Sequence, residues 1–440
     1  MRFVDEFGAP LTANDAEAVR RYDAAVGQLL LLRNDPIAFA DEALLIDPSL
    51  VMANVLKSAA CVLGTERSAL PDAIAALGAG LHGASDATPR ELGHLAALAA
   101  WVDGRLHDAC AQWERVLVDH PNDALAMLCA HQGDFFLGQS SELRDRVARR
   151  LPQIEPGSRL EGYYSGMHAF GLEEMGDYGR AEEAGARAVA SDPRDAWAIH
   201  AVAHVMEMTN RTDDGIAWLS SRVDDWTTDS FFAVHNWWHL SLYHLDRMDW
   251  ASVLDMYDGH VRAGYSTAML DLLDASALLW RLGLHGVDVE QRWQELAGIW
   301  ATHVDDAWYS FNDVHAMMAF AGAGRGDLAD QLLATMQATA GGTNDNALMT
   351  REVGLPAARA LLSFSQGGYQ QAVELLSKVR PIAARAGGSH AQRELLTQTL
   401  IAAAERAGYQ SMARALLDER LALKPHSPLH RQWQARVLAA

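Results

Sequence analysis

The chain has 440 residues, half of them hydrophobic and 21% charged, which is ample material either for two or three ordinary domains or for one helical-repeat solenoid. Acidic residues outnumber Lys and Arg by 57 to 36, and the formal charge of −21 argues against a nucleic-acid partner and against an anionic membrane surface. The opening residues carry no basic or apolar leader region, and no run approaches the roughly 18 apolar residues of a membrane span. Cys61, Cys110 and Cys129 lack a CxxC spacing and read as buried, reduced thiols of a cytoplasmic protein.

Nearly every segment repeats its apolar residues with the helical period, and no run alternates convincingly as a strand does, so the expected class is all-α. Residues 1–20 form an opening segment, overlapping a helical pattern expected at about 15–33; a second follows at 36–46, and DPSLVMANVLKSAACVLGT begins the first clear repeat. Pro48, Pro121 and Pro193 each stand between two apolar helical stretches, 73 and 72 residues apart, or two repeats of about 36. Proline suits the first turn of the following helix and cannot continue the preceding one. Gly104, Gly176 and Asn210 mark the turn inside a helix pair, because Gly and Asn tolerate the left-handed backbone that closes a helix. The stretch LPQIEPGSR (151–159) reads as a loop within one domain. Beyond Trp250 the spacing lengthens toward about 40, punctuated by Gly324, Gly367 and Gly408. An exposed loop is expected at 340–346 and a last capping helix after Pro428. The expected architecture is one α-solenoid of tetratricopeptide-like helix-turn-helix repeats over 1–440, enclosing a central pocket. It divides into N-terminal repeats (1–150), central repeats carrying the site (160–320), and C-terminal repeats with a cap (321–440).

Residues 195–250 hold the strongest signal for chemistry. His200 and His204 form one H-x-x-x-H pair, His235 and His239 a second, and corresponding members are 35 residues apart. Partners at i and i+4 share a helix face, and Glu207 falls on the face of the first pair. In stacked repeats of this period equivalent helices become neighbours, so both pairs point into one space. First helices of the repeats, expected at about 160–175, 195–209, 229–245, 266–282, 307–321, 351–366 and 389–407, line the concave side. They place His168, Asp271, Asp274, Asn312, Asp313, His315, His390 and Arg393 beside the same groove. His200, His204, Glu207, His235, His239, Asp271, Asp274, Asp313 and His315 are therefore the candidate catalytic residues. His168, Trp238, Asn312, His390 and Arg393 are the candidate substrate contacts.

Each also has a plainer reading. Asp271 and Asp274 suit a pairing with Arg281, Trp237 and Trp238 suit packing between repeats, and His244 suits a structural or exposed position. The four paired histidines fit a divalent transition metal such as Zn, Fe, Ni or Mn. They fit equally a metal-free acid–base site in which Asp orients His and Arg393 holds an anionic group. HAVAHVME is not the H-E-x-x-H motif, and no Walker loop, G-x-S-x-G or dinucleotide fingerprint is present.

The segments HAVAHVMEM, HNWWHLSLYHL, MLDLLDASALLWRL, FNDVHAMMA, SHAQREL and LKPHSPL resemble the tetratricopeptide repeat protein 38 family, in order and over nearly the whole chain. The resemblance implies an α-helical repeat fold in a cytoplasmic protein and carries over no established activity. The leading expectation is a small-molecule enzyme or binder with hydrolytic or acid–base chemistry, and a homo-oligomer is left open. The competing class is a repeat scaffold that holds a peptide or protein partner in its groove; a groove of His, Asp and Glu amid Trp, Met and Phe suits a small ligand better.

Overall fold

The computed structural model describes residues 2–439. Their regular structure is helical apart from one antiparallel ribbon that pairs Arg2–Val4 with Pro10–Thr12. The ribbon corrects the strand-free reading of the opening segment. Strands of three residues are too short to show alternation, and Gly8, at φ 81°, supplies the left-handed turn between them. Among the described residues no helix is long and apolar enough to cross a membrane.

Local signals place the helix ends. Ala16–Leu31 and Pro36–Ile46 follow Asp15 and Asp35, whose carboxylates accept from the backbone N–H of Glu17 and of Ile37 and Ala38. Gly104, Gly176, Asn210, Gly324, Gly367 and Gly408 all take positive φ at helix ends, as a left-handed cap requires. The prolines sit differently from expectation. Pro48, Pro121 and Pro193 lie in turns three residues ahead of helices that start at Val51, Ala124 and Ala196. In two of these turns a later carboxylate caps the helix: Asp123 accepts from Ala126 N–H and Asp195 from Ala198 N–H, each at 2.9 Å. The proline ring ends one helix and the aspartate two residues on starts the next.

The chain forms two compact units, Met1–Val202 with Arg222–Ala233, and Ala203–Ser221 with Val234–Ala440. In the first, consecutive helices pack in pairs, from Ala16–Leu31 with Pro36–Ile46 to Arg159–Glu174 with Tyr178–Ser191. The members of a pair differ in burial. Ala124–Phe136 is enclosed on nearly every side, whereas Leu106–Asp119 buries only the stripe Ala109, Cys110, Trp113, Val116 and Leu117. Polar groups within the enclosed layer must find partners in the protein. Asp123 is the clearest case: its Oδ2 accepts from Arg90 Nε at 2.6 Å and lies 2.8 Å from His94 Nε2, while Trp113 Nε1 donates to His94 Nδ1. Arg90 also reaches Asp5 at 2.9 Å. Burial alone would raise the Asp123 carboxyl, but Arg90 and His94 hold it well below the ordinary carboxylate range. Cys61, Cys110 and Cys129 are buried, and among the described residues no disulfide joins them.

In the second unit the enclosed helices Met269–Leu284, Ser310–Gly322, Leu355–Ser365 and His390–Arg406 each pack on the next, and the last returns to the first. Two hydrogen bonds hold that return: Trp280 Nε1 donates to Thr399 Oγ1 at 2.9 Å, and Arg281 Nη2 donates to the Ala391 carbonyl at 2.7 Å. The C-terminal segment also folds back. Lys424 Nζ lies 3.4 Å from Glu207, His426 N–H donates to Asn210 Oδ1 at 2.7 Å, and the Ser427 hydroxyl donates to Asp246. This closure of the second unit brings residues far apart in sequence around one set of side chains.

Candidate metal centre and adjoining cavity

Helix Ala233–Asp246 carries His235 and His239 one turn apart, and helix Ala196–Met208 carries His204. All three imidazoles belong to the second unit and are at most 4% exposed. The rings of His204 and His239 are 4.4 Å apart and those of His235 and His239 4.9 Å, with one nitrogen from each within 4.8 Å of the others. Helix Met269–Leu284 supplies Asp274, whose Oδ2 and Oδ1 lie 2.8 Å and 3.0 Å from His235 Nδ1. Burial raises the Asp274 carboxyl, against the lowering effect of His235; an ionised Asp274 would accept from Nδ1–H of a neutral ring and leave Nε2 with the lone pair. Glu207 Oε2 is 3.4 Å from His239 Nδ1. Burial, and then the neighbouring His204, His235 and Arg281, hold the His239 pKa well below the ordinary imidazole range. A neutral imidazole is the form that binds a metal ion.

His200 precedes His204 by four residues on the same helix and is 2% exposed; its ring packs against Phe170, Trp197 and Phe232 at 5.1–5.5 Å. Trp238 is fully buried, stacked on His235 at 5.3 Å, with the Arg281 guanidinium 5.3 Å from its ring centre. Trp237 stacks on His260, and His244 Nδ1 pairs with Asp249 at 3.0 Å. Asp271 lies one turn before Asp274, hydrogen-bonded to Ser266, and burial pushes its carboxyl up to about 6.

The remaining candidates lie on other helices. Among the described residues neither Asp313 nor His315 makes a hydrogen bond, ion pair or ring contact with the three histidines. His315 Nδ1 is 2.8 Å from the Phe311 carbonyl of its own helix, and burial lowers its pKa to about 4. Asn312, 6% exposed, is on the same helix. His168 belongs to the first unit, where burial and then Arg180 and Arg144 lower its pKa to about 4. His390 and Arg393 open helix His390–Arg406, and Arg393 Nη1 donates to the Gly388 carbonyl.

Arg281 corrects one expectation. It pairs with neither Asp271 nor Asp274; its guanidinium donates to the carbonyls of Ala277 and Ala391 and lines a cavity of about 40 Å³. Glu207, Glu394, Gln398, Lys424 and His430 share that wall. Sequence patterning singles out none of Gln398, Lys424 and His430, because each reaches the cavity from a helix or turn whose place depends on the fold closing back. No family model matches this chain.

Asp313 offers a pH test. It is 4% exposed, its Oδ2 has no hydrogen-bond partner among the described residues, and burial raises its carboxyl to about 7. The folded state therefore holds a proton that the unfolded chain loses above the ordinary carboxylate value of 3.8, so this group's stabilising contribution falls as pH rises toward about 7 and then levels. Asp313→Asn removes the titration. The unfolding free energy of the variant relative to the parent should shift in the variant's favour by on the order of 2 kcal/mol between about pH 5 and about pH 7.5. A difference constant with pH would show that Asp313 ionises in the usual carboxylate range.

Proposed function

We propose that this chain is a small-molecule enzyme or binding protein that holds a divalent transition metal on His204, His235 and His239. Glu207, on the same helix as His204, is the proposed further donor. One observation carries the reading: three buried imidazoles place ring nitrogens within 4.8 Å of one another, and Asp274 Oδ2 lies 2.8 Å from His235 Nδ1. Three histidines with an open position are a recurrent catalytic arrangement, and a carboxylate on the far nitrogen is the usual support of a metal-binding imidazole. A metal ion there would supply Lewis acidity and a bound water of lowered pKa, which suits hydrolytic chemistry. The burial of the histidine group speaks for a small ligand over a peptide, which needs a long open trough.

The resemblance to the tetratricopeptide repeat protein 38 family belongs to the same proposal. Paired helices and left-handed residues at 176 and 210, 34 apart, support the repeat reading of the fold. Three buried cysteines with no disulfide among the described residues support a reducing, cytoplasmic setting.

Metal analysis of protein purified without a histidine tag tests the proposal. About one equivalent of a transition metal is expected, lost on prolonged dialysis against a strong chelator. Protein that carries less than about 0.1 equivalent after growth in metal-supplemented medium, and takes up none when titrated, would sink the metal version.

A further inference from the structure

A buried charge is costly unless a partner of opposite charge meets it. Arg281 is 2% exposed, yet among the described residues no carboxylate oxygen lies within 4.0 Å of its guanidinium. The carboxylates around the same cavity are engaged elsewhere: Glu394 Oε2 with Arg420 at 2.6 Å, Glu207 Oε1 with Lys424 at 3.4 Å, and Asp246 with Ser427 and Thr212. Burial lowers the Arg281 pKa to about 10, so it remains a cation at neutral pH. Among the described residues, other polar atoms on the wall lack partners. Gln398 Oε1 and both nitrogens of His430 are buried without a hydrogen bond, as is Glu394 Oε1, although Gln398 is only 5% and His430 only 3% exposed.

We propose that this cavity binds the carboxylate of a small polar molecule, with Arg281 as the anchoring cation and the Gln398 and Glu394 oxygens accepting from an N–H or O–H on the same molecule. A guanidinium presents a planar fork that matches a carboxylate, and a partly desolvated cation rewards the match more than an exposed one does. The place of Glu207 gives the site its function. It forms part of the cavity wall and also lies 3.4 Å from His239, so a carboxylate on Arg281 is held beside the histidine group. Naming the bound molecule a substrate rests on the metal-centre reading; the binding itself does not.

Thermal-shift and calorimetric titrations with glycolate, L-serine and ethanolamine test this. The first two carry a carboxylate, whereas ethanolamine keeps the amine and hydroxyl without it. At about 20 mM and constant ionic strength, glycolate or serine should raise Tm by about 4 °C, as a Kd near 1 mM implies, and ethanolamine should not. Arg281→Lys should weaken binding at least tenfold. Gln398→Glu places a competing carboxylate on the same wall with almost no change of shape, and should weaken it similarly while the unliganded Tm stays near the parent's. The proposal fails if neither carboxylate binds, if ethanolamine binds as well as serine, or if a folded Gln398→Glu variant binds both carboxylates as the parent does. Metal content is measured on the same samples. Carboxylate binding without metal leaves this inference standing and removes the metal centre; metal without carboxylate binding does the reverse.

Discussion

Alanine at His204 or at His239 is expected to remove bound metal and any activity that depends on it, while the far-UV circular dichroism stays that of a helical protein. Both imidazoles are fully buried with rings 4.4 Å apart, so a ligand held by one is within reach of the other. Loss of either should lower metal affinity by at least 100-fold, read by competition with a chelator of known affinity, and the double variant should be little worse than either single one. Residues that act as a unit behave non-additively. Asp274→Asn should have a smaller effect, about 10- to 100-fold, because it only orients His235. A purely structural role predicts a different pattern: each alanine lowers Tm substantially while metal content per folded molecule is unchanged.

The largest loss of stability is expected from Asp123→Ala in the first unit. The substitution removes the cap of helix Ala124–Phe136, leaves Arg90 with Asp5 as its remaining carboxylate, and takes the acceptor from His94 Nε2. Breaking a buried pair from one side costs up to about 3–5 kcal/mol, moderated here because Asp5 still meets Arg90, and a lost cap adds about 1 kcal/mol. Urea unfolding should show a loss in that range and a fall in Tm on the order of 10 °C. Asp123→Asn keeps a capping oxygen and should recover part of it. A loss below about 1 kcal/mol would mean that water or backbone rearrangement satisfies Arg90 and His94 in the variant.

Much of the helical layout is legible in the residues themselves. Apolar period, Asp15 and Asp35 as caps, and the glycines and Asn210 that accept positive φ all act within a few residues of where they stand. The H-x-x-x-H spacing is of the same kind, since residues four apart share a helix face, as His235 and His239 do on Ala233–Asp246. The ribbon at the start escaped because three residues are too few to display a period. The prolines misled by a turn's length because their ring marks where a helix stops, whereas Asp123 and Asp195 mark where the next begins.

What only the tertiary structure decided is which distant helices meet. Asp274 stands 39 residues from His235, Ala391 stands 110 from Arg281, and Lys424 stands 217 from Glu207. Sequence patterning marks Asp274 as polar on a helix face but leaves open whether it meets a histidine or an arginine. It gives Gln398 and His430 no distinction at all, and it offers Arg393 as the cation for an anionic group where the fold puts Arg281 on the cavity wall. The physical reason is range. Periodicity and capping are set by backbone hydrogen bonds between near neighbours, whereas charge pairing and cavity lining depend on the closure of the second unit, in which His390–Arg406 returns to Met269–Leu284.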